Sequence, residues 1–309
     1  DGRSCTTGHL CSKDAPRADV DYACERIGMF NTVSTGRRVR WRGQLGDPNE
    51  LSVFIGAVIP FLFALGVTSS RKFLSSFMLS MLGIGLWAVI LSQSRGGQLV
   101  VGTVFSIYFV MRFGAKGLFA AAVLALPVVL LGGRDDVTAE SSSEERVELL
   151  YEGVNIVRQY PIIGVGIDQF REHLRSHMTA HNSYLLAAAE LGFPGFFFWS
   201  GLVWTSFKIP FKLARWDGLA PDAVLRRFAT ALVVSFVGMA IGIFFLSFTY
   251  KQLLFVWFGI AGALYTIVRA EQPSFEVRVG FRDFLGIVTL DVVILTLIFV
   301  YSRLKGGGG

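Results

Sequence analysis

The chain has 309 residues, of which 52% are hydrophobic and only 17% are charged. Together with a mean hydropathy of +0.53, this composition excludes an ordinary soluble domain and indicates an integral membrane protein. The formal net charge of +6 does not indicate nucleic-acid binding, because Lys and Arg at membrane surfaces pair with anionic lipid headgroups.

All three cysteines, Cys5, Cys11 and Cys24, fall in the polar first 50 residues. Cysteine in an extracytoplasmic segment indicates a disulfide, which would leave one thiol over. Zinc is the alternative, but structural zinc sites take four ligands, more than these three cysteines provide. We therefore expect a disulfide in this segment.

Eight apolar runs follow, each near the length of about 20 residues that crosses a bilayer as a helix. The third and fourth runs are the shortest. The predicted fold is therefore all-α, a polytopic transmembrane helical bundle of about eight spans. The runs are 51–68, 73–93, 97–112, 117–132, 184–207, 228–246, 252–268 and 284–301.

The runs divide the chain into an outer segment at 1–50, four membrane helices at 51–132, a polar loop at 133–183, four membrane helices at 184–301 and a tail at 302–309. Lys and Arg are densest in the short loops on the side of the bundle opposite to the polar loop, and such loops are cytoplasmic. The polar loop then faces outward. Because the chain does not begin with Met and ends in four glycines that resemble a linker, we expect it to be part of a longer protein.

The outer loop contains the pattern of an amphipathic helix. Ser142 and Glu145 form a possible capping box at its start, and apolar residues recur at spacings of three and four from Val147 to Val157. Tyr160-Pro161 ends the pattern. The glycines that follow in Gly164-Val165-Gly166 indicate a flexible turn rather than a nucleotide site, because the other residues of a nucleotide-binding motif are absent.

Two arginines are candidate anion ligands. Arg95 lies between two spans in Ser94-Arg95-Gly96-Gly97, where the glycines would let a phosphate approach the backbone. Arg146 lies in the loop helix among several glutamates. The alternatives are that Arg95 reaches lipid headgroups and that Arg146 forms a surface ion pair worth less than about 1 kcal/mol.

His181 is the candidate general base, because its imidazole has an ordinary pKa near neutrality and it lies where the outer loop meets an apolar run. Asn182 after it is typical of a helix cap, so a capping role without chemistry is the alternative. His173 and His177 share its spacing of four residues and raise the possibility of zinc. No fourth ligand is evident, so we predict no metal site.

The run after His181 contains features that indicate a cavity. Glu190 is expected about 13 Å further along the helix, inside the bilayer, where carboxylates face a cavity or a partner. Gly192-Phe193-Pro194-Gly195 would break that helix, which a membrane tolerates only where protein or water satisfies the backbone. Asp291 in the last run invites the same argument without a nameable partner.

These motifs resemble the O-antigen ligase and polymerase superfamily of bacterial envelope polysaccharide enzymes. The resemblance covers about residues 41–205 and is most specific in His181-Asn182, nine residues, and Gly-x-x-Gly. The other matching motifs are Gly46-Asp47-Pro48-Asn49, Ser94-Arg95-Gly96-Gly97, an arginine in the loop helix and Tyr160-Pro161-Ile162-Ile163-Gly164-Val165-Gly166.

The resemblance implies a multi-pass enzyme of the bacterial inner membrane with its active site facing the periplasm. It implies an undecaprenyl-diphosphate-linked glycan as donor, a lipid A core or another glycan as acceptor, and no metal or other cofactor. Arg95 and Arg146 would bind the diphosphate, and His181 would act on the acceptor hydroxyl. We further expect substrate contacts from Asn182, Glu190, Gly192 and Gly195.

The His-Asn motif favours a ligase over a polymerase, which remains the alternative within the superfamily. A transporter whose charged residues line a pathway is the alternative outside it. Transporters often consist of two similar halves, and no such repeat of motifs is present in this sequence.

Overall fold

The computed structural model describes most of the chain from Asp47 onward and short pieces before it. The described residues are 4–5, 22–23, 25–29, 32–35, 38–41, 45, 47–67, 71–117, 119, 122–123, 136–174, 178–220 and 223–306.

Short antiparallel strands precede the bundle, and the sequence did not predict them. The pair β1 (Ser4–Cys5) and β2 (Tyr22–Ala23) is followed by a meander of β3 (Glu25–Ile27), β4 (Thr32–Thr35) and β5 (Arg38–Trp41). Strands of two to four residues are too short for an alternating pattern to stand out in a polar segment. Cys11 and Cys24 lie outside the described residues, so the disulfide stays a prediction.

Long helices form the rest of the described structure, as the all-α prediction required. They are α1 (Pro48–Leu62), α2 (Lys72–Ser92), α3 (Arg95–Phe113), α4 (Asp136–Gln159), α5 (Ser183–Ala214), α6 (Val224–Gly242), α7 (Gln252–Glu271) and α8 (Phe281–Gly306).

Six of these helices, α1, α2, α5, α6, α7 and α8, are long and apolar enough to cross a membrane. The third predicted run corresponds to α3, whose apolar part, Arg95–Met111, is shorter. The fourth run, 117–132, lies mostly outside the described residues. The polytopic helical bundle is confirmed.

The helices pack in two groups that share α6. One group consists of α1, α2, α3 and α6, with α1 in contact with the other three. In the other group, α5 contacts α4, α6, α7 and α8. Fully buried side chains such as Val53, Phe105, Leu185 and Met239 fill the interior of the bundle, and α2 and α8 present large exposed apolar side chains, as lipid-facing helices do.

The loop helix begins earlier than the sequence indicated. The capping box predicted a start at Ser142, but α4 already begins at Asp136 and runs through Ser142 to Gln159. Local capping patterns are weak signals, because a Ser inside an exposed helix costs little. The predicted end is confirmed, since the helical backbone stops one residue before Tyr160-Pro161.

The predicted break in α5 lies at Gly192, whose φ of 66° and ψ of 179° are not helical. The segment after α4 packs into this break. Val165 and Gly166 donate their N–H groups to the carbonyls of Ala189 and Glu190, both at 3.0 Å, and Phe193 donates to Pro161 at 2.8 Å. The loop therefore satisfies the backbone groups that the break leaves without helical partners.

Candidate active site

Three side chains that are far apart in sequence line one cavity of about 510 Å³: Arg95, Arg146 and His181. Asn49 and Tyr301 add polar groups, and the remaining lining is apolar or small. Among the described residues that line the cavity there is no carboxylate. The apolar and small lining residues are Gly96, Val147, Leu150, Ala180, Phe244, Phe245, Leu297 and Ile298.

Arg95 is exposed at the first residue of α3. Ser94 is the helix N-cap, and its hydroxyl accepts the N–H of Gly97 at 3.1 Å. Only Gln93, in the left-handed conformation with φ of 49°, and Ser94 separate α3 from α2. The positive end of the α3 dipole therefore faces the same space as the guanidinium, and both favour an anion there.

A further arginine, outside the cavity lining, supports this end of the cavity, and sequence reasoning missed it. Arg40, on β5, donates through Nε to the carbonyl of Ser92 at 2.7 Å and through Nη2 to Oδ1 of Asn49 at 2.8 Å. Asp47 caps α1 and accepts from the Asn49 amide at 3.0 Å. Arg40 thus fixes the end of α2 and the Asn49 side chain. No local sequence pattern predicts that a strand residue will contact the start of a helix 9 residues later.

His181 has a backbone conformation that is rare for residues other than glycine. Its φ is 48°, in the left-handed region that costs a non-glycine residue on the order of 1 to 3 kcal/mol and that recurs at functional sites. Asn182 directly after it caps α5, with Oδ1 accepting the Leu185 N–H at 2.9 Å. The cap therefore fixes where α5 begins, and with it the position of His181 directly before the cap.

A dense set of hydrogen bonds holds the His181 backbone against the segment 243–249. Ser183 accepts the Phe248 N–H at 2.7 Å through its hydroxyl, donates to the Leu246 carbonyl at 2.6 Å, and its own N–H bonds the Ile243 carbonyl. Asn182 donates to the Phe244 carbonyl at 3.0 Å. Because Phe244 and Phe245 line the cavity, this frame fixes the imidazole relative to the cavity wall.

The environment of His181 favours the neutral imidazole. Burial lowers its pKa from the ordinary value of 6.5, and the positive charges of Arg146 and Arg171 lower it further, while Asp47 acts in the opposite direction. Neutral imidazole is the form that accepts a proton. At neutral pH the ring is therefore in the state that a general base requires.

The last helix supplies a wall of the cavity that the motifs did not indicate. Leu297, Ile298 and Tyr301 of α8 line it opposite Val147 and Leu150 of α4, and the two helices are in contact. These residues lie beyond the stretch that carries the motifs. Only the packing of α8 on α4 brings them to the site.

The other predicted substrate ligands are not brought to the cavity. Asn182 is buried, with both ends of its amide bonded to protein. Glu190 is 2% exposed and accepts the Phe170 N–H at 3.1 Å. Gly192 forms the break and Gly195 lies half-buried one turn further on. These four residues do not line the cavity in the described structure, so substrate contact from them stays a prediction.

The remaining titratable candidates also have protein partners. His173, in a 3-10 turn at Phe170–His173, lies 2.9 Å through Nδ1 from the Gln169 carbonyl, and His177 lies outside the described residues. Asp291, for which the sequence offered no partner, lies 3.0 Å through Oδ2 from Oγ of Ser200. In the described part of the chain, no group of three His, Cys, Asp or Glu side chains could hold a metal.

Comparison with known proteins identifies the region that contains this cavity. Residues 56–200 match a family model described as O-antigen ligase. The match covers just under half of the chain and supports a relation to the O-antigen ligase and polymerase superfamily. This confirms the resemblance seen in the motifs, and the matched stretch holds all three of Arg95, Arg146 and His181. No curated protein and no solved structure matches the chain.

Members of that family are glycosyltransferase-like membrane enzymes, for which lipid-linked polysaccharide substrates are expected. Asn49, Phe244, Phe245 and the α8 residues of the cavity lie outside the matched residues. The cavity is therefore completed by parts of the chain on both sides of the family domain.

Proposed function

We propose that the protein transfers a glycan from undecaprenyl diphosphate to an acceptor hydroxyl in this cavity, as an O-antigen ligase acting on a lipid A core. The observation that carries the proposal is the presence of Arg95, Arg146 and His181 on one cavity, although 86 residues separate the first from the last. An anion-binding pair beside a neutral imidazole is the set of groups that this transfer needs.

The arginines act on the leaving group. As the bond between the sugar and the diphosphate breaks, negative charge collects on the diphosphate oxygens. Guanidinium groups held in place can stabilise that charge with forked hydrogen bonds, which replaces the metal ion that many glycosyltransferases use. The positive end of α3 adds to this field.

The imidazole acts on the acceptor. His181 takes the proton from the acceptor hydroxyl as its oxygen attacks the anomeric carbon, and the diphosphate departs with the electrons of the broken bond. The left-handed backbone at His181 and the Ser183 frame hold the ring in place, so that little motion is needed at the moment of reaction.

The composition of the cavity suits a substrate that is polar at one end and apolar at the other. Its cations lie at the start of α3 and within α4, while Leu150, Leu297 and Ile298 supply an apolar wall between α4 and α8. A prenyl chain next to a diphosphate has the same division between charged and apolar parts.

The outward orientation of the cavity belongs to the same proposal. Loops rich in Lys and Arg lie at the opposite ends of the helices, as in the loop between α5 and α6, which holds Arg215 and leads into Arg226 and Arg227. In a bacterial inner membrane, the cavity then opens toward the periplasm, where carrier-linked glycan is used.

Reconstitution tests the reaction. Purified protein in proteoliposomes, given carrier-linked glycan and lipid A core, is expected to form glycan-bearing lipid A and release the lipid diphosphate. If it instead lengthens the carrier-linked glycan, the protein is a polymerase of the same superfamily. If carrier-linked glycan only crosses the membrane unchanged, the protein is a transporter and the proposed transfer reaction is wrong.

A further inference from the structure

The loop between α4 and the 3-10 turn exposes an unusual number of large apolar side chains. Ile162, Ile163 and Ile167 are 72%, 82% and 62% exposed. They are continuous with Phe193, which is 49% exposed on α5 just beyond the break. These four large apolar side chains on the loop and on α5 form an exposed apolar patch, which is unfavourable in contact with water.

The backbone of this loop is already satisfied by protein. Gly164 donates to the Tyr160 carbonyl at 3.1 Å, and the N–H groups of Val165 and Gly166 bond carbonyls of the broken helix. Gly164 and Gly192 make this contact possible, because a Cβ on Gly192 would lie 2.2 Å from the Ile162 carbonyl oxygen. Non-helical backbone is tolerated at membrane depth under this condition.

The depth of the loop follows from the helix that it contacts. The loop bonds α5 at residues 189–193, and Lys208 near the other end of α5 pairs with Asp283 at 2.6 Å. Sixteen residues of helix between Gly192 and Lys208 span about 24 Å. A hydrocarbon core is about 30 Å thick, so a membrane surface near Lys208 puts Gly192, and the loop beside it, inside the opposite leaflet.

The charged residues around the loop mark where it would leave the membrane. Arg158 is exposed on the last turn of α4, and Asp168, Arg171 and Glu172 are exposed after the loop. The isoleucines between them carry no charge. The apolar stretch 160–167 is therefore bounded on both sides by residues that prefer water.

We propose that the segment Tyr160–Ile167 is a membrane-inserted loop whose isoleucine side chains enter the acyl chains of the leaflet next to the cavity. The occupant of the patch is lipid hydrocarbon, because the patch continues the lipid-facing surface of α5 at Phe193 and lies at hydrocarbon depth. The loop thereby anchors the end of α4, the helix that carries Arg146. This insertion does not depend on the transfer reaction.

Fluorescence quenching in lipid nanodiscs tests the insertion. An environment-sensitive fluorescent amino acid replaces Ile163 in the full chain, and quenching is measured with lipids carrying a nitroxide on the acyl chain and with aqueous iodide. Two reference positions calibrate the result: Val292, 58% exposed in the middle of α8, and Glu172, exposed in the 3-10 turn.

The expected result is strong quenching of position 163 by the nitroxide lipids, in the range of position 292, with little quenching by iodide. A nitroxide near the headgroup should quench position 163 more than one near the chain end. Quenching of position 163 by iodide at the level of position 172, with no effect of nitroxide lipid, would overturn the proposal and leave the patch facing water.

Discussion

The two ends of the bundle both carry clustered basic side chains, but their surroundings differ. At the end that the proposed orientation makes the inner one, Lys208, Lys212 and Arg278 line a hollow of about 400 Å³ together with Glu276. Arg278 pairs with Glu276 at 2.8 Å, and its hydrogen bond, together with its positive charge, lowers the pKa of that carboxyl. Lys208 pairs with Asp283.

At the outer end, the described lining of the cavity that holds Arg95 and Arg146 contains no carboxylate. A high density of positive charge therefore does not by itself identify a ligand site. The inner hollow contains a paired carboxylate, Glu276, whereas the described lining of the outer cavity combines cations, an imidazole and an apolar wall, which is the setting that we propose for an anionic lipid substrate.

The largest difference between the two ends should appear when the imidazole is removed. His181→Ala is expected to lower glycan transfer by about 10² to 10⁴-fold, the usual contribution of a general base, while the protein still inserts and folds. His173→Ala is the matched control, because that ring is exposed on the outer loop and is expected to leave transfer unchanged. Wild-type transfer by His181→Ala would remove the proposed base.

The next largest decrease in glycan transfer is expected when an arginine of the cavity is replaced. Arg95→Ala should lower transfer by about 10²-fold, as loss of one preorganised donor to a developing anion does. Arg95→Lys should recover only part of this, because an ammonium lacks the forked donor. Lys212→Gln in the inner hollow is the charge-matched control and should leave transfer within about twofold. Equal losses at the two ends would contradict the distinction between them.

The stability of the outer end depends on the break in α5. Gly192→Ala should lower the free energy of unfolding by about 2 kcal/mol or more, because its φ is positive and its Cβ would meet the Ile162 carbonyl. Gly102→Ala in α3, where a Cβ has open space, should raise the stability by up to about 1 kcal/mol. Thermal unfolding in nanodiscs measures both. Equal stability of the two variants would mean that the break is not constrained by the loop.

The pH dependence should show a smaller effect with a defined sign. The pKa of His181 in the enzyme without substrate is lowered from 6.5. The value of kcat/KM should therefore stay high down to a pH below 6.5 and fall only when the imidazole becomes protonated. A bound diphosphate places negative charge near the ring and raises this pKa, so the acid limb of kcat should lie at higher pH than that of kcat/KM. An acid limb of kcat/KM above pH 6.5 would contradict a His181 that is buried and lies near Arg146 and Arg171.

Much of the bundle could be predicted from the sequence, because membrane helices need long apolar runs and these leave a strong local signal. Arg95 and His181 could be expected at the ends of membrane helices for a related reason, since each lies in a motif beside an apolar run, and the structure places both on one cavity. Gly192 could be predicted as a break because Gly and Pro next to it disfavour helix.

The supporting parts of the site could not be predicted in this way. Arg40 reaches Asn49 only because β5 packs beside the start of α1, and Tyr301 reaches the cavity only because α8 packs on α4. These contacts depend on tertiary packing, for which a single sequence carries no periodic signal. Asn182 and Glu190 lie outside the cavity lining, and each bonds a distant backbone group: the Asn182 amide donates to the Phe244 carbonyl, and Glu190 accepts the Phe170 N–H through Oε1.

The most direct test of the central claim measures donor binding and transfer separately in the same variants. Carrier-linked glycan is titrated into nanodiscs that hold wild-type protein, His181→Ala or Arg95→Ala, and single-turnover transfer is then started by adding acceptor. His181→Ala is expected to bind donor with nearly wild-type affinity but to transfer it about 10² to 10⁴-fold more slowly, whereas Arg95→Ala is expected to bind donor more weakly. Unchanged donor affinity in Arg95→Ala together with normal transfer by His181→Ala would contradict the assignment of this cavity as the active site.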